Sequence, residues 1–376
     1  MVEIISGIGS FGDFEKLKKL YTGKNILLVT GKGSYSACGV ESVLDFALKN
    51  DNVLKFSDFG VNPKIEDAER GAALARNSDI NLIIAVGGGS VIDMAKLIKA
   101  FYSTPKLSRE LAQGFATMSD PKIPLIVAPT TAGSGSEATH FAVVYIGLEK
   151  YSLASTLLLP EIVILDGTLT STCSAYQKAC NGLDALSQAI ESAWAAGSTK
   201  ESRAYSFEAV KLCVKYLKTV IESGAQNTAL QGMLEAANLA GQAINISKTT
   251  AAHAWSYGIT SLHNVPHGHA VWLTLPKIFQ LHLDAAAGRV TDPRGLQHLK
   301  IIMKDLTTAL SIPPSENVAE HLNKYLSSIN VETEMSNIGA NTKKLRKILS
   351  EKVNMQRMSN NPIRLDSNDI AYIFDL

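Results

Sequence analysis

Four of the eight histidines in this 376-residue chain stand within "HAWSYGITSLHNVPHGHA", residues 253–270. They are His253, His263, His267 and His269, flanked by the apolar Ala251, Ala252, Trp255, Val271 and Trp272. Imidazole is the commonest side-chain metal ligand, and in apolar company it needs a polar partner or a metal. A second stretch, "CNGLDALSQAIESAW" (180–194), sets Asp184 and Gln188 four residues apart, on one helix face. Around them lie Leu183, Ala185, Leu186, Ala189 and Ile190, so this carboxylate also needs a partner. One carboxylate and two imidazoles with an open position make a catalytic divalent metal site. Taken alone, the histidines also read as satisfied core groups, and Asp184 as a first-turn acid offsetting a helix dipole.

Two glycine-bearing loops suggest a nucleotide. "AVGGGSVIDMAK" (85–96) runs from a strand through Gly87, Gly88 and Gly89 into a helix. Glycines admit a ligand close to the backbone, and free N–H groups at a helix start attract phosphate. The other reading is a tight strand-to-helix turn that needs positive φ. "APTTAGSGSEAT" (128–139) leaves a second strand with Thr130, Thr131, Ser134 and Ser136 among glycines. Hydroxyls and amides at a strand's carboxyl end suit a diphosphate or a ribose, where open α/β sheets bind ligands. The first strand ends "LLVTGKGSYSACG", with Gly31 and Lys32 where an NAD-preferring site often has a carboxylate. No acid follows until Glu41, so the local sequence favours NADP(H), with a solvated Lys32 as the alternative.

The positioning elements fall into two rhythms. Through residue 166, compact apolar runs (25–30, 82–89, 124–129, 161–166) alternate with helical patterns at 65–76 and 90–101. Such runs predict a mostly parallel sheet covered on both faces. Beyond it, segments 176–195, 202–222, 228–246 and 268–286 carry helical periodicity. The prediction is an α/β Rossmann-like dinucleotide-binding domain over 1–166 and an all-α metal- and substrate-binding domain over 167–376. A net charge of +1 gives no reason to expect nucleic acid. No eighteen-residue apolar run predicts a membrane span, and the N-terminal stretch does not read as a secretory signal. Cys38, Cys173, Cys180 and Cys213, scattered without a CxxC pair, read as reduced thiols of a cytoplasmic protein. The stretch "EIIS" could pair as an edge strand, which predicts a homodimer.

GGGSxxD, PTTAGSGSE, GLDALxxxIE and two histidines fourteen apart ending in PHG occur in this order. Together they resemble the iron-containing (group III) alcohol dehydrogenases, and the resemblance runs from the first strand to "SNNPIRLDSNDIAYIF". It implies the same two-domain fold, shared with dehydroquinate synthase. It also implies hydride transfer between NAD(H) or NADP(H) and an alcohol or aldehyde on Fe(II) or Zn(II). Carried over, it gives Gly87, Gly88, Gly89, Ser90, Asp93, Thr130, Thr131 and Ser134 to the cofactor, with Lys150 and Leu169 as flanking contacts. It gives Asp184, His253 and His267 to the metal, and leaves His263 and His269 supporting or surface roles. Two positions depart from the family: Gln188 and Tyr257 stand where histidines are usual. Gln188 offers a neutral amide oxygen, a poorer ligand than imidazole for these metals. Tyr257 could donate a proton or shape the pocket.

The wording of GLDALSQAIES, SKTTAAHAWSY and PHGHAV resembles the phosphonoacetaldehyde reductase branch of that family more narrowly. A doubly charged phosphonate needs cations, and Lys248, five residues before His253, is the first choice, with Arg357 the second. The expected activity is therefore metal-dependent aldehyde reduction. A glycerol, polyol or general short-chain alcohol dehydrogenase, a dehydroquinate-synthase-like lyase and a metal-free nucleotide-binding or sensor protein are the alternatives.

Overall fold

A computed structural model describes residues 2–14, 24–147, 149–223 and 226–376. Met1 and residues 15–17 of the N-terminal stretch read for a secretory signal lie outside them. The chain divides into two units, residues 1–173 with 225–238, and residues 174–224 with 239–376.

The first unit is built on a six-stranded parallel sheet. Its strands are β1 (Glu3–Ser6), β2 (Asn25–Thr30), β3 (Asn52–Phe56), β4 (Leu82–Gly87), β5 (Leu125–Pro129) and β8 (Ile162–Leu165). Their order is β1-β8-β5-β4-β2-β3. The apolar runs are continuous because successive residues bury opposite faces. Leu27, Val29, Ile83, Ala85, Leu125 and Val127 pack with the helices Ile65–Asn77 and Gly89–Ser103. Ile26, Leu28, Ile84, Val86, Ile126 and Ala128 pack on the other side with Phe11, Phe14, Tyr35 and Leu44. An antiparallel pair, β6 (Phe141–Ile146) and β7 (Glu149–Ala154), stands apart from this sheet. Residues 225–238 lie in the helical half of the sequence, yet Leu234 joins the core under the sheet. Gln231 donates to the Leu165 carbonyl at 3.0 Å and accepts from Gly167 N–H at 2.8 Å.

The second unit is helical. Its central helix, Ala175–Trp194, is buried almost all round from Lys178 on, so its polar face of Asp184, Gln188 and Glu191 must find partners inside the protein. Trp194, Trp255 and Trp272 are buried, and each indole N–H has an acceptor: Thr250 Oγ1, Ser350 O and Leu183 O. The predicted helix 268–286 is two helices, His267–Trp272 and Leu275–Leu283. Pro276 explains the break, because it lacks the N–H that a continuing helix needs and suits a first turn.

Candidate active site

Ser174 and Gln177 form a reciprocal capping box that starts the Ala175–Trp194 helix. Asp184 therefore lies in mid-helix, which removes its reading as a first-turn acid. It is 7% exposed and Gln188, one turn on, 4%. A further turn brings Glu191, which is fully buried.

His253 lies in the first turn of the helix Ala251–His263. That helix ends at Asn264 in the left-handed conformation, a usual helix stop. Val265 and Pro266 then turn the chain so that the next helix starts at His267. Gly268 lets this helix sit directly on the central one. A Cβ at Gly268 would lie 2.0 Å from the Cys180 carbonyl oxygen and 2.8 Å from Asp184 N. Glycine is needed here for close approach, and its neighbour His267 is thereby set beside Asp184.

The ligand atoms of Asp184, His253 and His267 lie within 4.8 Å of one another. Asp184 Oδ1 is 3.6 Å from His253 Nε2 and 3.9 Å from His267 Nε2, too far for hydrogen bonds. Glu191 accepts from His253 Nδ1, so Nε2 of the neutral ring is a lone pair. Ser256 Oγ donates to the His253 carbonyl at 2.9 Å. Its single proton is then used, so His267 Nδ1 donates to it at 3.3 Å and His267 Nε2 is also a lone pair. Asp184 Oδ1, Gln188 Oε1 and His253 Nε2 are buried without a hydrogen-bond partner. Asp184 Oδ1 and His253 Nε2 face each other at 3.6 Å without a hydrogen bond, while the Gln188 amide supports the Asp184 carboxylate; a cation between the carboxylate and the imidazole lone pairs satisfies both. The residues present thus fit a divalent metal. The local field favours positive charge at His253, a proton when no metal is bound and the metal when it is. Burial disfavours a charged His253, but Glu191 and Asp184 outweigh it and raise its pKa to about 9. Burial pushes Asp184 up, yet His267 and His253 hold it below the usual carboxylate range.

Tyr257 stacks on His267, with ring planes 4° apart and centroids at 5.6 Å. His269 lies elsewhere in the network: Tyr176 Oη is 2.9 Å from its Nδ1, and its Nε2 donates to Glu332 O at 2.7 Å. His263, in the last turn of its helix, is partly buried, with Gly339 packed close to its ring. Lys248 is exposed in the left-handed region, φ 62°, between carbonyls of Ser247 and Thr249 that Asn360 Nδ2 holds. Arg357 lies in the short helix Met355–Met358, whose cap Asn354 donates to the Ala254 carbonyl beside His253.

In the first unit, Gly87, Gly88 and Gly89 have no positive φ. The turn reading that required one is therefore replaced by close approach. A Cβ on Gly89 would meet Ser134 Oγ at 2.5 Å, and one on Gly88 would meet Thr131 at 3.2 Å. The two loops interlock, and Thr130 N–H donates to Gly87 O at 3.0 Å. Ser90 lies in the first turn of the Gly89–Ser103 helix. Thr30 and Thr130, at the carboxyl ends of β2 and β5, bury hydroxyls that have no partner. Amides at a helix start and unpaired hydroxyls at strand ends fit a nucleotide's phosphates and ribose. Asp93 accepts from Ser136 Oγ and from Val143 N–H, at 3.1 Å for the latter, and so braces the hydroxyl loop. Lys150, on β7, is within electrostatic reach of Asp93. Leu169 is 4% exposed, inside the sheet's core.

The structure adds residues that the local sequence did not single out. Asp58, just beyond β3, pairs with Lys32 at 3.2 Å, both exposed, and with Arg70. A carboxylate absent next to Gly31 in sequence thus reaches Lys32 from the segment beyond the neighbouring strand. Asp58→Asn removes that charge, and the NADPH to NADH ratio of kcat/KM is expected to rise about twofold to fivefold, the range of an exposed ion pair. Parallel assays with both nucleotides check it, and an unchanged or falling ratio refutes it. Glu191 is the other addition. Its cues are its place as the last residue of GLDALxxxIE and its spacing on one helical face with Asp184 and Gln188.

Residues 2–167 match the family described as iron-containing alcohol dehydrogenase, and 178–375 match its C-terminal family. Phosphonoacetaldehyde reductase of Streptomyces viridochromogenes is 30% identical over 311 residues, 80% of this chain and 78% of that protein. 1,3-Propanediol dehydrogenase of Citrobacter freundii is 26% identical, over 95% of this chain and 92% of that one. The structure of sulfoacetaldehyde reductase from Bifidobacterium kashiwanohense in complex with NAD+ superposes with a TM-score of 0.83 at 26% identity. It covers 100% of this chain and 96% of that one.

Proposed function

We propose that this chain, which belongs to the iron-containing alcohol dehydrogenase family, reduces a two-carbon aldehyde bearing a terminal acid group. It is an oxidoreductase of alcohols and aldehydes. The observation that carries the reading is the convergence of Asp184, His253 and His267 around buried, unpartnered acceptors. These three hold Fe(II), with Zn(II) as the alternative, and the interlocked loops at Gly87–Gly89 and Thr130–Ser134 hold NAD(H) or NADP(H). The chemistry those groups supply when bound is Lewis-acid polarisation of the carbonyl and transfer of a hydride. Tyr257, parallel to the His267 ring, is our choice of proton donor at its Oη. The acid-bearing substrate is supported by two relatives that act on phosphonoacetaldehyde and sulfoacetaldehyde. Lys248 and Arg357 are the cations we assign to the acid group. Each lies on a segment hydrogen-bonded next to the His253 helix. The 1,3-propanediol relative favours a second reading, a diol dehydrogenase.

NADH- and NADPH-linked reduction of phosphonoacetaldehyde, sulfoacetaldehyde, propanal and glyceraldehyde, with and without added Fe(II) or Zn(II), tests the proposal. A charge-assisted contact contributes roughly 1.5–3 kcal/mol. Lys248→Ala is therefore expected to lower kcat/KM for the anionic aldehydes about tenfold to a hundredfold, and to leave propanal nearly untouched. A wild-type preference for propanal or glyceraldehyde rejects the acidic substrate and leaves the diol reading.

The metal ligands carry a further expectation. Gln188 Oε1 is buried and unpartnered one turn from Asp184. Gln188→His is expected to tighten metal binding roughly tenfold to a hundredfold, about 1.4–2.8 kcal/mol. Titration of metal-stripped protein measures this, and an unchanged affinity places Gln188 outside the metal's ligands.

Among the described residues, no helix is long and apolar enough to cross a membrane. All four cysteines are free, which supports a reducing, cytoplasmic setting. β1 lies at the sheet edge with Ile4 exposed, and this supports a homodimer paired there.

A further inference from the structure

We infer that Glu191 is the positioning residue of the metal site: its carboxylate fixes the His253 tautomer that offers Nε2 to the metal. The inference rests on the reading of Asp184, His253 and His267 as metal ligands.

Glu191 is fully buried on the central helix, and every contact at its carboxylate is a donor. Oε1 accepts from Thr250 Oγ1 and from Ala252 N–H, the latter at 3.0 Å. Oε2 faces His253 Nδ1. Thr250 has no freedom to do otherwise. Its hydroxyl accepts from Trp194 Nε1 at 2.9 Å, so its one proton goes to Glu191. Thr250 is the cap position of the His253 helix, yet its side chain makes no cap bond to that helix. Glu191 takes that place from the neighbouring helix by binding the Ala252 N–H. The same carboxylate therefore anchors the start of the helix and orients the first imidazole on it.

The chemical consequence lies in the second ring nitrogen. A carboxylate at Nδ1 makes that nitrogen the donor and leaves Nε2 with a lone pair. Nε2 is buried, unpartnered and 3.6 Å from Asp184 Oδ1. His267 Nδ1 lies 3.3 Å from the Ser256 hydroxyl, and its ring is stacked on Tyr257. With glutamine at 188, the site has two imidazoles only, so the orientation and donor strength of His253 matter more.

Glu191→Gln separates this from a purely structural role. Two donors, Thr250 Oγ1 and Ala252 N–H, converge at Oε1, so the amide oxygen of the variant belongs there. Its NH2 then faces His253 Nδ1, which must accept, and the ring proton moves to Nε2. The metal loses that lone pair. Metal titration of stripped protein is expected to show affinity about tenfold to a hundredfold below wild type, the usual range for such partners. Nitrogen-15 NMR of the stripped variant, with His253 assigned, is expected to show the proton on Nε2. Thr250→Val breaks the same anchor without touching His253. It is expected to lower thermal stability as Glu191→Gln does, and to keep the wild-type metal affinity. Wild-type affinity in Glu191→Gln, or an Nδ1–H tautomer retained there, overturns the inference. So does an equal loss of affinity in Thr250→Val, which would make the role structural. His253→Ala distinguishes the underlying reading: if it binds metal like wild type, the ligand assignment fails and Glu191 has nothing to position.

Discussion

His267→Ala is expected to abolish metal-dependent turnover while nucleotide affinity stays near wild type. Lone pairs of two histidines and one carboxylate converge within 4.8 Å, and His267 supplies one of the three. A four-ligand metal site stabilises its ion by roughly 10–16 kcal/mol, about 3 kcal/mol per ligand on an equal division. Losing one ligand is then worth about a hundredfold in affinity. His267 is a suitable place to remove one, because its side chain is 33% exposed and alanine there leaves little buried cavity. His253 and Asp184, with side chains 4% and 10% exposed, would confound the result with a folding defect. Nucleotide binding serves as the internal control. The glycine and hydroxyl loops belong to the first unit and His267 to the second. Metal titration and NAD(P)H binding, measured on the same preparation, should separate. Wild-type metal affinity in the variant would remove His267 from the site.

How far the sequence reveals this arrangement depends on whether a residue's partners are local. The parallel strands are legible because burial on both faces leaves continuous apolar runs, and those of β2, β4, β5 and β8 stand out. The β6–β7 pair was not read. In Phe141–Ile146 burial alternates, but every residue is apolar or aromatic, so no period of two shows in the sequence; Glu149–Ala154 mixes buried and exposed positions without a clean alternation. The three long helices of residues 175–247 carry their period openly, but periodicity does not say which core a helix joins. Residues 225–238 show this, since Leu234 packs under the sheet. Asp184, His253 and His267 are legible as a set because their types and motifs demand partners. Glu191 was quoted inside a motif without a role, because its donors Thr250, Ala252 and His253 lie some sixty residues away. Asp58 is hidden for the same reason: no carboxylate stands near Lys32 along the chain, and this one arrives from the segment beyond the adjacent strand.

Gly268→Ala is expected to cost more than any other single methyl in the molecule's metal site. Its Cβ would stand 2.0 Å from the Cys180 carbonyl oxygen and 2.9 Å from Asp184 Cβ. Real Cβ atoms do not approach backbone so closely, and neither contact can yield by rotating a side chain. The Cys180 carbonyl is fixed in the second turn of the central helix, and residues 182–194 of that helix are all buried. The movable partner is the six-residue helix His267–Trp272, which must lift away. Overpacking of this kind costs typically 1–3 kcal/mol of stability. The functional loss should be larger. His267 is adjacent to Gly268, so the lift carries its Nε2 away from Asp184 Oδ1, and a displacement near 1 Å costs on the order of a hundredfold in rate. The Trp272 indole bond to Leu183 O, at 2.8 Å, would stretch with it. Metal affinity, thermal unfolding and kcat/KM measured together decide the matter. A folded variant with metal affinity and turnover both reduced supports the close contact as the device that sets His267 against Asp184. If the variant keeps wild-type metal affinity and turnover, the two helices do not meet at Gly268, and the placement of His267 must come from the Asn264–Pro266 turn alone.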